Sequence, residues 1–249
     1  MQVYLINLDR DRERLAHMRD ELRGVAFTRV PAVDGAKSPA VANGLTRFEL
    51  ACLASHRNAW RLFLDSRDAH ACFLEDDIYI RSGFKGLIDD DAWAPADAHS
   101  IKIDTYLQKV RLGELRPVAG GRAVARLYTR HESSAAYMLS RAGAERYLEL
   151  TARPILPADY ALFPKNARRL GLRIYQLTPA VAIQDHLIYA AQGGPAFASA
   201  MNRDAEAGRS PLAKLLREAF RLGEQAVDAK EALFLRTFLK ARTTTVPVG

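Results

Sequence analysis

Glu75, Asp76 and Asp77 stand side by side between two apolar runs, 71–74 and 78–80. Three adjacent carboxylates repel one another, and apolar flanks deprive them of solvent. As hard oxygen donors they suit Mg2+ or Mn2+, cations that also bridge phosphate oxygens. A divalent ion there would offset the repulsion and neutralise charge growing on a pyrophosphate leaving group. The competing account is a solvated acidic turn that caps a following helix. The apolar run ahead of the acids favours a site, because a short apolar strand would fix them at one edge of a sheet.

Other residues offer complementary chemistry, each with a plainer explanation beside it. Asn7, Asp9 and Arg10 close the first apolar run, and Arg14 lies one helical turn beyond Arg10. Two guanidiniums so placed could grip a diphosphate by bidentate bonds, or simply form i,i+4 ion pairs on a surface helix. Asp34, in Ala-Val-Asp-Gly, could accept from a ribose or base, or only make an Asp-Gly turn. His56 beside Ser55 falls mid-helix, where a histidine is more often a satisfied core residue than a catalyst. His186 follows the last expected strand and could complete the metal shell of Glu75, Asp76 and Asp77, oriented by Asp185; an exposed loop histidine is the alternative. Asp159, after Pro154 and Pro157, is either a helix N-cap or a general base.

The elements that must position these residues follow from periodicity. Residues 2–8, 26–30, 69–74, 100–104, 135–139, 173–177 and 180–184 read as strands. Helices are expected over 11–22, 141–151 and 158–170. Residues 46–65 form the clearest helix: Thr46 with Glu49 three residues later fits a capping box. Gly120-Gly121 between alternating runs marks a hairpin. Strands alternating with helices predict an α/β fold around a mostly parallel sheet. In open sheets of that kind ligands bind at the carboxyl ends of the strands, where the three acids fall.

Composition sets the outer limits. The chain has 249 residues, 49% of them hydrophobic, enough for one large core. Its net charge of +7 favours anionic partners. Cys52 and Cys72 lie in apolar patterns, as buried thiols in a reducing compartment do. The N-terminus has acids by Asp9 and no apolar stretch of the signal-peptide kind, and no apolar run approaches the roughly 18 residues of a membrane span. A cytoplasmic protein is expected. P-loop, dinucleotide-fingerprint and nucleophile-elbow motifs are absent.

Seven segments carry a family likeness in a fixed order: VYLINLDRDRERL, VPAVDG, LTRFELACLASHRNAW, CFLEDDIYI, SIKID, SSAAYMLSRAGAERYL and LPAD. Over residues 3–184 the chain resembles glycosyltransferase family 25, which holds bacterial lipooligosaccharide galactosyltransferases and collagen galactosyltransferases. The resemblance implies a GT-A type nucleotide-sugar fold, an inverting mechanism and a UDP-hexose donor, most often UDP-galactose. It assigns metal and donor binding to the acidic motif, so Asp76 and Asp77, with His186 from its place after the last strand, are the expected metal ligands. Asn7, Leu8, Asp9, Arg10, Arg14, Asp34, Gly35, Ser55, His56 and Lys102 become the nucleotide-sugar contacts. Asp159, at the family's Pro-x-Asp position, and Glu75 become the catalytic candidates, with Asp159 the base. The chain departs from the family at Phe48, where many members have Gly, and at Ser134 or Ala135, where a Gly is usual. Without the signal and retention tail of the collagen-modifying branch, the bacterial cytoplasmic branch is expected.

Residues 1–188 are therefore expected to form the catalytic domain. Residues 189–249 would add a flexible segment and amphipathic helices over 211–242. From Arg209 to Arg242 there are eight basic and four acidic residues. Such helices could dock on an acidic membrane beside a lipid-linked acceptor, pack on the domain, or form a homodimer. A metal-dependent nucleotidyltransferase would use similar acids. A basic nucleic-acid module fits the charge, but no stacking motif supports it, and no nucleic-acid partner is expected.

Overall fold

The computed structural model describes residues 1–38, 45–189 and 234–249. The chain runs β1 (Gln2–Asn7), α1 (Arg12–Glu21), β2 (Thr28–Pro31), α2 (Arg47–Leu64), β3 (His70–Glu75), β4 (Ile78–Ile80) and α3 (Phe84–Asp89). It continues through β5 (Ser100–Lys102), β6 (Asp104–Thr105), β7 (Lys109–Leu112), β8 (Arg116–Val118), β9 (Arg122–Arg126) and β10 (Ala136–Ser140). Then come α4 (Arg141–Leu150), α5 (Ala158–Leu162), β11 (Ile174–Thr178), β12 (Ala182–Gln184), α6 (Asp185–Tyr189) and β13 (Arg242–Thr245).

The main sheet has eight strands in the order β2-β1-β3-β10-β5-β11-β9-β8. Six point the same way; β10 and β9 are reversed. The α/β fold and mostly parallel sheet agree with the sequence reading, as does the hairpin, formed by β8 and β9 around Gly120-Gly121. Side chains alternate between two cores. Tyr4, Ile6, Phe73, Tyr137 and Leu139 face one, with Trp60 and Phe63 of α2. Val3, Leu5, Cys72, Leu74 and Met138 face the other, with Met18 of α1. Both faces are covered, which is why these strands read as nearly continuous apolar runs.

The chain leaves β1 to one side, to β2, and returns through α2 to β3 on the other. The order reversal opens a crevice at the carboxyl ends of β1 and β3. There the acids meet a second, three-stranded sheet, β4-β12-β6. The turn Asp76-Asp77 is the point where the chain passes from one sheet to the other. This explains an apolar run directly after the acids: Ile78 is fully buried. The segment 100–104 divides in the same way, β5 joining the main sheet and β6 the small one.

Two expected helices differ. Helix α2 begins as expected, with both capping-box bonds made: Thr46 Oγ1 accepts from Glu49 N, and Glu49 Oε2 from Thr46 N. The helix expected over 158–170 stops at Leu162, because Pro164 follows and cannot extend it. The helices expected over 211–242 lie mostly outside the described residues; 234–239 are helical. Nor does a boundary at 188 set the last residues apart. β13 pairs with β7, and Val246 and Leu235 are fully buried against the body. Among the described residues no helix is long and apolar enough to cross a membrane.

Candidate active site

A cavity of about 420 Å³ opens over the carboxyl ends of β1 and β3. Asn7, Leu8, Arg10, Arg14 and Gly35 line one side, the three acids the floor, and Asp159, Asp185 and His186 the other. β10 runs against β3, so its first residues, rather than its last, reach this edge. Glu75 N donates to Ala135 O at 2.8 Å, which brings Ser133 and Ser134 beside the acids.

The three carboxylates go three ways. Glu75 Oε1 accepts from Ser134 Oγ at 2.6 Å and lies 3.1 Å from His56 Nε2. Burial pushes its pKa up, but His56 and Ser134 outweigh this and hold it below the usual range. His56 is itself fixed: Trp60 Nε1 donates to Tyr137 Oη at 2.7 Å, and Tyr137 Oη meets His56 Nδ1 at 2.8 Å. That chain leaves Nε2–H facing Glu75. Asp76 accepts from Asn7 Nδ2 at 2.6 Å and Arg14 Nη1 at 2.9 Å, yet burial still raises its pKa. Asp77 accepts from Gln184 Nε2 at 3.3 Å, with Arg14 3.9 Å away. Burial first, and then the charge of Glu75, push its pKa up to about 7.

Asp159 is a candidate N-cap or base from the sequence. The cap position is Pro157, and Asp159 sits within the first turn of α5. Its Oδ1 accepts from Tyr160 N at 2.9 Å and its Oδ2 from Ser133 N at 3.3 Å. Burial raises its pKa despite these bonds.

Several expected contacts fall elsewhere. Lys102 is 0% exposed and does not line the cavity. It lies behind the wall, 2.7 Å from Asp104 Oδ1, and donates to Ser133 O at 2.6 Å. Asp104 in turn accepts from Ser133 Oγ at 2.6 Å. Together they hold Ser133 at φ +77°, a backbone region that favours glycine, with its N–H on Asp159. Asp9 lies outside the cavity and pairs with Arg29 at 2.6 Å. Asp34 is also outside the lining; it pairs with Arg10 and caps the 3-10 turn Gly35–Lys37. Ser55 Oγ accepts from Val33 N at 2.8 Å and donates to Ala51 O at 2.7 Å, so it pins the loop after β2. Gly35 is required by close approach: a Cβ there would lie 2.6 Å from the Phe48 ring and 2.9 Å from Phe48 Cα.

Arg29 and His131 carry weight that sequence reasoning missed. Arg29 donates to Asn7 Oδ1 at 2.9 Å and so orients the amide that holds Asp76. His131 is fully buried, with Nδ1 2.8 Å from Gln176 Oε1, and its Nε2 accepts from Tyr106 N at 3.2 Å. Burial pushes its pKa down to about 3, so it is neutral. An arginine within a strand was the only available signal for the first; nothing local marked the second.

The metal question turns on donors. Asp77 is a hard carboxylate on the cavity floor whose Oδ1 accepts one long bond from Gln184 and whose Oδ2 lies 3.9 Å from Arg14, so a divalent cation fits there. Asp76, expected beside it, already has both oxygens bonded. Among the described residues the group of three whose ligand atoms converge within 4.8 Å is Cys52, His56 and Glu75. There both ring nitrogens are hydrogen-bonded, and burial, then Glu75, push the Cys52 thiol well up. That trio is a neutral-thiol network rather than a thiolate site.

Residues 1–162 match the family described as Glycosyltransferase family 25 (LPS biosynthesis protein). The chain belongs to this family. LgtB of Neisseria meningitidis, a lacto-N-neotetraose biosynthesis glycosyltransferase, is 27% identical over 74% of this chain and 75% of its own. LgtE of Neisseria gonorrhoeae, named for the same biosynthesis, is 25% identical over 84% of this chain and 83% of its own. Solved structures overlap more loosely. A Drosophila β-1,4-galactosyltransferase 7 mutant with manganese, UDP-Gal and xylobiose reaches a TM-score of 0.40 at 12% identity, covering 84% of this chain and 80% of that one. The galactosyltransferase LgtC reaches 0.34 at 11% identity, covering 74% and 86%. At those scores they add nothing to the assignment.

Proposed function

We propose that this glycosyltransferase moves a hexose, galactose in the first instance, from UDP to a saccharide acceptor in lipooligosaccharide synthesis, with inversion at the anomeric carbon in a GT-A type fold. The observation that carries the reading is the cavity itself. Arginines on one wall face a half-buried carboxylate of raised proton affinity on the other, with acids between. The relatives' role in lacto-N-neotetraose synthesis supports the acceptor class, and their names support sugar transfer over nucleotidyl transfer.

Arg10 and Arg14 hold the donor diphosphate and balance charge on departing UDP. Asp77 and His186 would hold a divalent cation, Mn2+ or Mg2+, which neutralises the diphosphate when bound. An acceptor hydroxyl attacks the anomeric carbon opposite the UDP oxygen. The new C–O bond forms as the bond to UDP breaks, and Asp159 takes the hydroxyl proton. A raised pKa brings that carboxylate closer to the range where proton transfer is efficient. Glu75, tied to His56 and Ser134 and held ionised, serves as a fixed anion rather than the base. Lys102 acts indirectly, by fixing Ser133. Action at the cytoplasmic face of a membrane is part of this reading.

A screen of UDP-hexoses tests it, scored by UDP release with Mn2+ and with EDTA. Mn2+-dependent release from UDP-galactose is expected. Release from no UDP-hexose, or equal release in EDTA, contradicts the donor or the metal respectively.

A further inference from the structure

A second cleft, of about 310 Å³, lies beside the catalytic cavity and shares no lining residue with it. Among the described residues its lining holds the cations Lys109, Arg111 and Arg130, with Lys165 also in the lining, and no acid. Lys109 and Arg111 project from one face of β7, while Val110 and Leu112 are buried on the other. β7 is held on both sides. Thr243 of β13 pairs with Arg111, and Tyr128 N donates to Arg111 O at 3.0 Å. The cations therefore stand on a braced platform. Arg130 Nε is buried and lacks a hydrogen-bond partner, an expensive state for a charged group.

The cleft adjoins the acceptor side. The Arg130 guanidinium lies 4.0 Å over the Tyr160 ring, and Tyr160 N donates to Asp159. Gln108 Nε2 donates to Arg130 O at 3.0 Å, tying together the two loops whose neighbours, Tyr106 and Glu132, line the catalytic cavity. The donor-side arginines, Arg10 and Arg14, line the other cavity.

We propose that this cleft binds an oxyanion carried by the saccharide acceptor, a phosphate or carboxylate on a sugar beyond the one that is glycosylated. Lys109, Arg111 and Arg130, clustered on a braced platform, attract an anion, and guanidiniums bond its oxygens in pairs. The Arg130–Tyr160 contact and the Gln108–Arg130 bond link the cleft to the segments that carry Asp159 and Tyr106, so one glycan could reach from the cleft to Asp159. The acceptor role rests on the transferase reading above; anion binding by the cleft does not.

The test is calorimetry on the full chain saturated with UDP, titrated with glucose 6-phosphate and with glucose. Glucose 6-phosphate should bind at least about tenfold more tightly, and the gain should shrink in about 0.5 M NaCl. The Arg111→Gln/Arg130→Gln double variant should lose the gain, and Lys109→Gln, at an exposed position, should lose part of it should the double variant melt early. Equal binding of the two sugars, or an undiminished gain in a folded double variant, overturns the proposal. So does loss of binding to phosphatidylglycerol vesicles in the variant with sugar-phosphate binding intact, which would assign the cleft to a lipid headgroup. If UDP itself fails to bind, the transferase reading falls, and the sugar-phosphate titration without UDP still decides the cleft.

Discussion

At neutral pH the Asp77 carboxyl stands between its two protonation states, about 7 in the fold against an ordinary 3.8. The folded state thus binds a proton there that the unfolded chain has lost. The stability this proton contributes is full below the ordinary value and disappears as pH rises through about 7. Asp77→Asn should therefore stabilise the protein at pH about 8, by a few kcal/mol at most, with the gain fading toward pH about 4. Thermal melts at the two pH values check this. The same variant should lose Mn2+-dependent UDP binding, and wild-type cation affinity should climb through neutrality as Asp77 ionises. Lys102 makes a contrasting case. Lys102→Met leaves Asp104 buried without its partner and should cost roughly 3–5 kcal/mol. Lys102→Met/Asp104→Leu should cost less, and its UDP affinity should stay near wild type, since Lys102 lies outside the cavity. Denaturant melts and UDP titration of the pair separate positioning from binding.

Among the elements, the loop after β2 meets α2 more closely than any substitution allows. Gly35→Ala should force Val33 and Gly35 away from Ser55 and Phe48 and raise the KM for the donor several-fold with a smaller change in kcat. Adding Phe48→Ala should restore only part of the loss, because Phe48 Cα, 2.9 Å from the added Cβ, remains. A full restoration would place the strain in the ring alone. Legibility divides along similar lines. β1, β3 and α2 were readable because their signals are local: apolar runs, period and a capping box. Their acids could be placed at the strand end for the same reason. The partition of those acids could not be read. It depends on Asn7, Arg14, His56 and Gln184 arriving from four other segments, and on a change of sheet at Asp76-Asp77. Lys102 was misplaced because a lysine at a strand end reads as a ligand contact, whereas burial against Asp104 shows only in three dimensions. The helix expected over 158–170 lost to Pro164.

In the whole molecule, the last residues close back on the body that holds the site. Thr105 Oγ1 donates to Val246 O at 2.8 Å, one residue before Tyr106 enters the cavity wall. Val246→Asp would bury a charge without a partner and should lower the melting temperature by about 10 °C, a shift calorimetry reads directly. Both spaces proposed to hold ligands, the cavity and the basic cleft, lie along the segment 104–111 that this closure braces. In the proposed reaction the Asp159 carboxylate, across the cavity from the arginines, removes the acceptor proton. Asp159→Asn measured two ways tests it most directly: UDP affinity by calorimetry and hexose transfer under saturating donor and acceptor. Transfer should fall by orders of magnitude with UDP affinity unchanged. Near-normal transfer by that variant would contradict the account.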